Sequence, residues 1–334
     1  MMREFEIERQ FDIRIESIKP NKGVYHLKTS QGVKCLKKIS YGTQKLLFVY
    51  GAKEHLYKNG FPNIDRYFLN TEGNPYAVVN EDIYTLSQWI EGRECDFHND
   101  EDLVIASESL ALLHIASKGY EPPENSKLKS DLGRWPHLMD KRIKSFEKMK
   151  EMVRKKKSNK TDFDINYLKT IDYYKEMGKR AIQILNSSNY FEICRITEED
   201  KSFCHHDYTY HNIIIDNDNK VNVIDFDYCK REVRVYDLAN FMIKVLKRKN
   251  WDVEVAKVII NGYNSVSPLR EDEYKVLYAF LVFPQRYWRL CNRYYYNEVN
   301  WIQSTFNKKM EELIAEKESF EKFIDDFKNT YNVE

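Results

Sequence analysis

The sequence has no long apolar segment. Its longest apolar run, Leu277–Phe283, is short and is interrupted by Tyr278. A membrane-spanning helix needs about 20 predominantly apolar residues. The first residues, MMREFEIERQFDIRIESI, are charged, whereas a secretory signal is apolar. We therefore expect neither a membrane span nor a secretory segment.

Cysteines are few and scattered. No two of them form a CxxC pair, and none lies with histidines at metal-ligand spacing, so we expect no zinc site. A disulfide framework is typical of small secreted domains, not of a chain of this size. The chain is expected to be reduced and intracellular, with six free thiols: Cys35, Cys95, Cys204, Cys194, Cys229 and Cys291.

An excess of one charge is also lacking. There are 53 Lys and Arg residues against 52 Asp and Glu residues, which gives a formal net charge of +1. A nucleic-acid-binding domain usually carries a basic excess, so nucleic acid is not an expected partner. Hydrophobic residues make up 42% of the chain and aromatic residues 14%. This composition provides a buried core and argues against disorder.

The 334 residues suit two lobes, at roughly 100–200 residues per domain. In the first ninety residues, short alternating segments are separated by turns that contain Pro, Asn and Gly. One stretch, Gln44–Lys58, has helical periodicity and stops at Asn59-Gly60. The predicted order is β-β-β-α-β-β-β, with strands at Phe11–Ile18, Val24–Thr29, Val33–Lys38, Arg66–Leu69, Tyr76–Val79 and Tyr84–Ile90.

After Glu91-Gly92, longer helical patterns replace the strands. The predicted fold class is therefore α+β, with a small antiparallel-sheet lobe at residues 1–90 that contains one helix, and a larger, mainly helical lobe at 91–334. The predicted helices of the second lobe are Asp100–Lys118, Met139–Lys155, Asp164–Asn186, Glu271–Asn297 and Phe306–Phe327.

One segment combines short strands with polar groups. Ile213–Asp216 and Val221–Ile224 read as the two strands of a β-hairpin. Asp207 and Asn212 precede the first strand, and Asp225 follows the second. The hairpin thus brings a carboxylate, an amide and a second carboxylate to one place.

Phosphoryl transfer requires this set of groups. A carboxylate accepts or orients the proton of the attacking hydroxyl, while an amide oxygen and another carboxylate hold Mg²⁺ against the nucleotide phosphates. In kinases the base Asp precedes the metal-binding Asn by five positions, as Asp207 precedes Asn212. The spacing predicts Asp207 as the catalytic base, and Asn212 and Asp225 as metal ligands.

Together, HHDYTYHN at 205–212 and VIDFDY at 223–228 resemble the catalytic core of the aminoglycoside phosphotransferase and choline kinase superfamily, with its HxDxxxxN and IDW or IDFE motifs. More narrowly, CHHDYTYHN, VIDFDYC and VYDLANF are similar to strings of the CotS-like spore coat proteins, as are WIEGREC at 89–95 and LLHIASKG at 112–119. The similarity runs from about Ile13 to Trp301.

The resemblance implies a two-lobed, protein-kinase-like fold that binds ATP and Mg²⁺. It places at Lys37 the lysine that holds the α- and β-phosphates. Lys38, the alternative, points to the opposite face of a regular strand. Glu54 in the following helix is the expected ion-pair partner of Lys37, with an exposed helix glutamate as the other interpretation.

The segments of the first lobe that are expected to contact nucleotide match the kinase pattern only in part. The hinge against which adenine packs is expected at 89–92, and it includes Glu91 as a cofactor-binding position. The segment Lys19–Gly23, expected to cover the phosphates, has one glycine where protein kinases have a glycine-rich loop. Related small-molecule kinases often lack the rich loop as well.

The acceptor site is expected in the second lobe. Phe283–Arg289 concentrates aromatic and guanidinium groups, among them Arg286 and Trp288 as candidate substrate contacts. Aromatic faces attract cations such as a choline-like amine, but they also stack on sugars or fill a core. Asp227, two positions after Asp225, is expected to bind the substrate or a second metal ion, or to form a surface hydrogen bond.

Three functions follow from these features. The first is transfer of phosphate from Mg-ATP to a hydroxyl of a small molecule, and the alternative is a non-catalytic, kinase-fold component of the spore coat. A protein kinase is disfavoured because no activation segment ending in APE follows Asp225. The resemblance also implies synthesis in the mother-cell cytoplasm of a sporulating cell, deposition in the spore coat and other coat proteins as partners.

Overall fold

The computed structural model describes residues 4–333, which form two compact units. The first unit contains the residues up to Ser130 together with Asp200–Arg231. The second contains Asp131–Glu199 together with the residues from Glu232 onwards. The lobe boundary expected after residue 90 stays a prediction.

The first unit contains a five-stranded antiparallel sheet. Its strands are β1 (Ile15–Asn21), β2 (Val24–Thr29), β3 (Gly32–Ile39), β4 (Ala77–Val79) and β5 (Asp82–Gln88). They lie in the order β1-β2-β3-β5-β4. Lys37 of β3 stands opposite Thr85 of β5, and Lys38 stands opposite Tyr84. Consecutive residues of a strand point to opposite faces, so these two lysines are directed to different sides of the sheet.

Three helices belong to the same unit: α1 (Glu4–Phe11), α2 (Thr43–Lys58) and α3 (Asp100–Ala116). The prediction of a strand from Phe11 was wrong at its start, because Ile7 and Phe11 lie one helical turn apart and both are buried against the sheet. The strand predicted at Arg66–Leu69 is also absent from the described chain. There Tyr67 forms only an isolated bridge to Ser87.

A second, three-stranded sheet contains the predicted hairpin. Its strands are β6 (Arg93–Glu94), β7 (Ile213–Ile215) and β8 (Val221–Val223), in the order β6-β7-β8. One 3₁₀ turn, Tyr210–Asn212, leads into β7, and another, Phe226–Tyr228, follows β8 shortly after the strand ends. Each polar motif of the sequence is thereby fixed at one end of a short strand.

Nine helices of the described residues form the second unit. Fourteen buried side chains of α4, α5, α10 and α11 form one of its hydrophobic clusters, with Phe146, Tyr167 and Tyr287 at 0% exposure. The helices are α4 (Trp135–Lys155), α5 (Asp162–Asn186), α6 (Tyr190–Glu199), α7 (Arg234–Leu246), α8 (Val253–Val266), α9 (Glu271–Val282), α10 (Gln285–Tyr295), α11 (Gln303–Ala315) and α12 (Lys317–Thr330).

Two helices predicted as continuous are divided. The predicted helix Glu271–Asn297 ends at Val282 and restarts after Pro284, because proline lacks the N–H group that the helix interior needs. The predicted helix Phe306–Phe327 is interrupted at Glu316, whose carboxylate accepts hydrogen bonds from Trp251 and Arg286. Within residues 4–333, no helix has the length and apolar character needed to cross a membrane.

Candidate active site

The loop before β7 is held from inside the first unit. His205 is fully buried, and its Nδ1 accepts a hydrogen bond from the backbone N–H of Asp207 at 3.2 Å. The other ring nitrogen must then carry the proton, which Nε2 donates to the carbonyl oxygen of Ile224 at 2.9 Å. This histidine therefore fixes the Asp207 loop to the residue that precedes Asp225.

Asn212 brings Asp207 and the end of β8 together. Its Nδ2 donates to the carbonyl oxygen of Asp207 at 3.0 Å and lies 3.4 Å from the Oδ2 atom of Asp207. The backbone carbonyl oxygen of Asn212 accepts a hydrogen bond from the backbone N–H of Ile224 at 3.0 Å. Because the side-chain nitrogen of Asn212 contacts Asp207, its side-chain oxygen is the atom that remains to bind a cation.

Asp225 has a left-handed backbone conformation, with φ 63° and ψ 67°. Such a conformation is costly for a residue other than glycine and is concentrated at functional positions. It turns the chain from β8 directly into the 3₁₀ turn Phe226–Tyr228. As a result, the Asp225 and Asp227 carboxylates both reach the same lysine.

That lysine is Lys37. Its Nζ lies 2.8 Å from Asp225 Oδ1 and 2.9 Å from Asp227 Oδ2. Tyr41 donates its hydroxyl proton to the other oxygen of Asp227 at 2.6 Å. Lys38, the alternative, pairs instead with the exposed Asp82. The structure thus brings together Asp207, Asn212, Asp225 and Lys37, with Asp227 added to them, while their roles remain predictions.

The charges of this cluster support one another. Burial disfavours the ionised carboxylate of Asp225, but the nearby ammonium of Lys37 holds its pKa below the ordinary value. Burial likewise opposes the charge of Lys37, yet Asp225 and Asp227 raise its pKa above the ordinary value. Around neutral pH the cluster therefore contains an ionised Asp225 and a protonated Lys37.

The expected ion pair between Lys37 and Glu54 was wrong. The Glu54 carboxylate instead accepts two hydrogen bonds from Arg66, at 2.9 Å from Nε and 2.6 Å from Nη2. Its neighbour Lys53 is fully buried on the inner face of α2, and Lys53 Nζ lies 2.9 Å from Asp65 Oδ1. The helix turns a lysine inward at this place, so the glutamate beside it faces the exposed Arg66.

Lys53 and Asp65 are therefore site residues that the sequence interpretation missed. Lys53 also packs over the Tyr67 ring at 3.9 Å, and Asp65 Oδ2 lies 3.5 Å from the backbone nitrogen of Asp225. A signal was present, because Lys53 follows Leu46 and Val49 at helical spacing on the buried stripe of α2.

The other predicted contacts lie apart from this cluster in the chain. Glu91 is exposed in the segment between β5 and β6, and its cofactor role stays a prediction. Arg286 and Trp288 belong to α10 in the second unit. Arg286 pairs with Glu316, and Trp288 donates its indole proton to Ser145 Oγ at 3.0 Å while packing against the helical cluster.

The oxygen atoms of the cluster suit magnesium. Mg²⁺ is usually held by one or two carboxylates together with substrate phosphates and water. In this structure, the Asp225 and Asp227 carboxylates converge on one cationic group, the Lys37 ammonium. The two carboxylates thus share one cationic group, whereas the roles of Asn212 and Asp225 as magnesium ligands stay predictions.

The arrangement is that of a protein-kinase-like fold of the aminoglycoside phosphotransferase type. A crystal structure of an aminoglycoside phosphotransferase from Alicyclobacillus acidocaldarius is similar, with a TM-score of 0.87, 18% identity and coverage of 99% of this chain and 97% of that chain. The predicted fold, with an antiparallel sheet in the amino-terminal part and a largely helical carboxyl-terminal part, is thereby confirmed.

Two more distant structures share the fold. An amicoumacin kinase in complex with AMP-PNP and Ca²⁺ has a TM-score of 0.63 and 12% identity over 95% of this chain and 92% of that chain. A choline kinase from Cryptosporidium parvum has a TM-score of 0.52 and 15% identity over 94% of this chain and 90% of that chain.

The family is defined by the sequence. Residues 4–327 match the family described as "Spore coat putative kinase YutH", and the chain belongs to this spore coat family of kinase-like proteins. Spore coat protein S of Bacillus subtilis (strain 168) is 25% identical over 324 residues, which cover 96% of this chain and 90% of that protein. The resemblance to CotS-like spore coat proteins is confirmed.

Proposed function

We propose that this protein uses Mg-ATP to phosphorylate a hydroxyl group of a small molecule. The observation that carries the proposal is the convergence of Asp225 and Asp227 on Lys37, beside the Asp207–Asn212 pair. A purely structural protein has no evident need for two carboxylates, an amide and a lysine collected at one place. The nucleotide and Ca²⁺ held by the amicoumacin kinase of the same fold support the choice of cofactors.

Each residue has one task in this proposal. Asn212 and Asp225 hold the magnesium ion, and Lys37 neutralises charge on the nucleotide phosphates. Asp207 accepts the proton of the acceptor hydroxyl while the hydroxyl oxygen attacks the phosphorus atom that is transferred. The bond between the γ-phosphorus of ATP and its bridging oxygen breaks, and ADP is the leaving group. Glu91, in the segment between β5 and β6, is proposed to lie beside the adenine.

The acceptor is proposed to be a small molecule because the chain leaves little room for a protein-substrate platform. After Asp225 the chain reaches α7 at Arg234 through one 3₁₀ turn. Protein kinases place an activation segment between these points. We further propose synthesis in the mother cell and deposition in the spore coat, in line with the family.

A second candidate function is a non-catalytic coat component. One observation favours it: the turn between β1 and β2 consists of Lys22 and Gly23, and Lys22 is tied to Glu94 at 2.6 Å. A turn this short and this poor in glycine offers few backbone N–H groups to phosphates. The two candidates differ in whether nucleotide binds.

Thermal shift with ATP and Mg²⁺ separates them. At a nucleotide concentration about 100-fold above Kd we expect the Tm of wild type to rise by about 5 °C. Asp225→Asn and Lys37→Met should abolish the rise, whereas Lys38→Met, its exposed neighbour, should preserve it. No rise in wild type at millimolar nucleotide would instead support the coat-component function.

Release of ADP in a screen of hydroxyl-bearing metabolites tests catalysis itself. We expect one class of alcohol to stimulate ADP release, and Asp207→Asn to lower the stimulated rate by at least 100-fold while keeping the nucleotide-induced thermal shift. Nucleotide binding with no stimulated release by any alcohol would contradict the acceptor assignment but not the cofactor assignment.

A further inference from the structure

The second unit contains a cavity of about 670 Å³ that the proposed chemistry does not use. It lies between α7 with the loop that follows it, α10 and α11. Its lining includes seven basic side chains and two acidic ones: Lys244, Lys247, Arg248, Arg286, Arg289, Arg293 and Lys309, with Glu312 and Glu316. We call it the basic cavity.

Helical spacing explains how the charges converge. Arg286, Arg289 and Arg293 of α10 follow each other at three and four residues, so they share one helix face. Lys309 and Glu312 of α11 are three residues apart and likewise share one helix face. The loop after α7 adds Lys247 and Arg248 from a third direction. Three separate elements thus turn basic groups toward one volume.

The charge of the basic cavity is not balanced by its own carboxylates. Seven cations and two anions leave a formal charge of +5, whereas the whole chain has +1. Arg286 pairs with Glu316. Among the described residues 4–333, no ion pair is formed by Lys247, Arg289, Arg293 or Lys309. Arg293 and Lys309 both lie over the ring of Trp301, at 5.3 and 5.2 Å.

Burial and the neighbouring charges both affect Lys247. Desolvation within the cavity, followed by the positive charges of Arg286, Arg248 and Lys309, lowers the pKa of Lys247 to about 8. Like charges that crowd one concave surface destabilise the folded chain unless an anion joins them. Such an arrangement is therefore more consistent with a binding site than with an ordinary solvated face.

We propose that the basic cavity binds a small molecule that carries two or three phosphate groups. A phosphate group carries about −1.5 to −2 charges near neutral pH, so two of them match the charges of Lys247, Arg289, Arg293 and Lys309. Guanidinium groups form paired hydrogen bonds to phosphate oxygens, and three arginines of α10 line this volume.

Isothermal titration calorimetry with sodium tripolyphosphate tests the proposal on the full chain. The double variant Lys247→Gln/Arg289→Gln should weaken binding by at least tenfold. Lys322→Gln, an exposed lysine of α12 outside the cavity, should change it by less than twofold. Lys37→Met should retain the cavity's binding event, which separates it from any phosphate bound at the candidate active site.

A stability control and two further ligands complete the experiment. The double variant removes mutually repelling charges, so its Tm should equal or exceed that of wild type, and lost binding cannot then be ascribed to unfolding. Equal affinity of wild type and double variant would overturn the proposal, and so would an equal loss in Lys322→Gln. Citrate bound as tightly as tripolyphosphate would overturn the assignment to phosphate, and a short single-stranded oligonucleotide bound more tightly would point to nucleic acid.

Discussion

At the scale of single residues, the candidate active site depends on two lysines in different environments. Lys37 is shared by Asp225 and Asp227, and Lys53 is buried beside Asp65. The motif pattern singled out Asp207, Asn212 and Asp225 from the sequence, and the family resemblance added Lys37. Neither revealed the Lys53–Asp65 pair. Lys53 follows Leu46 and Val49 on the apolar stripe of α2, but a lysine is almost never fully buried unless it is paired, and its partner Asp65 lies outside the helix.

Lys53→Met should destabilise the first unit by about 2 kcal/mol. The methionine fills the same space but leaves the Asp65 carboxylate without its buried cation. Denaturant unfolding measures the change, and Asp65→Asn in the same chain should recover part of it. Glu54→Gln, at the next position, breaks a pair with a partly exposed arginine and should cost less than about 1 kcal/mol. Equal costs for Lys53→Met and Glu54→Gln would contradict the assignment.

The pair between Asp225 and Lys37 should also give a pH signature. Because the folded-state pKa of Asp225 is lowered, its contribution is present above the unfolded pKa of about 3.9 and is lost as the pH falls through the folded value. We expect the Tm difference between wild type and Asp225→Asn to be constant from pH 6 to 8 and to shrink below about pH 4. A difference unchanged at pH 3.5 would argue against the pair.

At the scale of elements, alternation and helical periodicity located most strands and helices, but not their interruptions. Pro284 was visible in the sequence and explains the break between α9 and α10. The break at Glu316 has no local signal, since neither Pro nor Gly is present there. It depends on Trp251 and Arg286, which are distant in the chain and reach Glu316 only after folding.

Gly92 controls how closely the chain approaches the three-stranded sheet. It has φ +151°, and a Cβ placed on it would lie 2.5 Å from the backbone oxygen of Ile215 in β7. We expect Gly92→Ala to destabilise the chain by about 3 kcal/mol, from both the backbone conformation and the clash. Denaturant unfolding measures the loss.

Gly73→Ala is the matched control for Gly92. Gly73 also has a positive φ, of +80°, but no atom lies within 4 Å of a Cβ built there. Gly73→Ala should lower the free energy of unfolding by only about 1 kcal/mol, because only the backbone conformation is disfavoured. If both substitutions cost the same, close packing against β7 is not what requires glycine at Gly92.

At the scale of the whole molecule, the chain passes between the two units at three places. The passages follow Ser130, Glu199 and Arg231, so each unit is assembled from two separate segments. The sequence suggested one division after residue 90, because longer helical patterns replace the strand patterns there. Residues 200–231 belong to the first unit because β7 pairs with β6, which is distant in the chain. No local sequence pattern predicts this pairing.

This connectivity predicts coupled unfolding, with the six thiols as probes. Burial raises the pKa of Cys35 to about 11 and that of Cys95 to about 12, so native thiols should react slowly with a disulfide reagent at pH 8. Mass spectrometry after labelling in increasing guanidinium should show both units becoming reactive at one midpoint. The thiols of the second unit are Cys194 and Cys291, and the first unit contains the other four. Separate midpoints would show independent unfolding.

The order of the segments also bears on synthesis by the ribosome. The strand partners β7 and β8 emerge only after the 131–199 segment has been translated, which takes roughly 3 to 14 seconds at ~5–20 residues per second. Throughout that delay, the nascent first unit lacks its hairpin and with it both Asp207 and Asp225. The growing polypeptide therefore cannot complete its candidate active site, or bind nucleotide there as proposed, until residue 231 has left the exit tunnel.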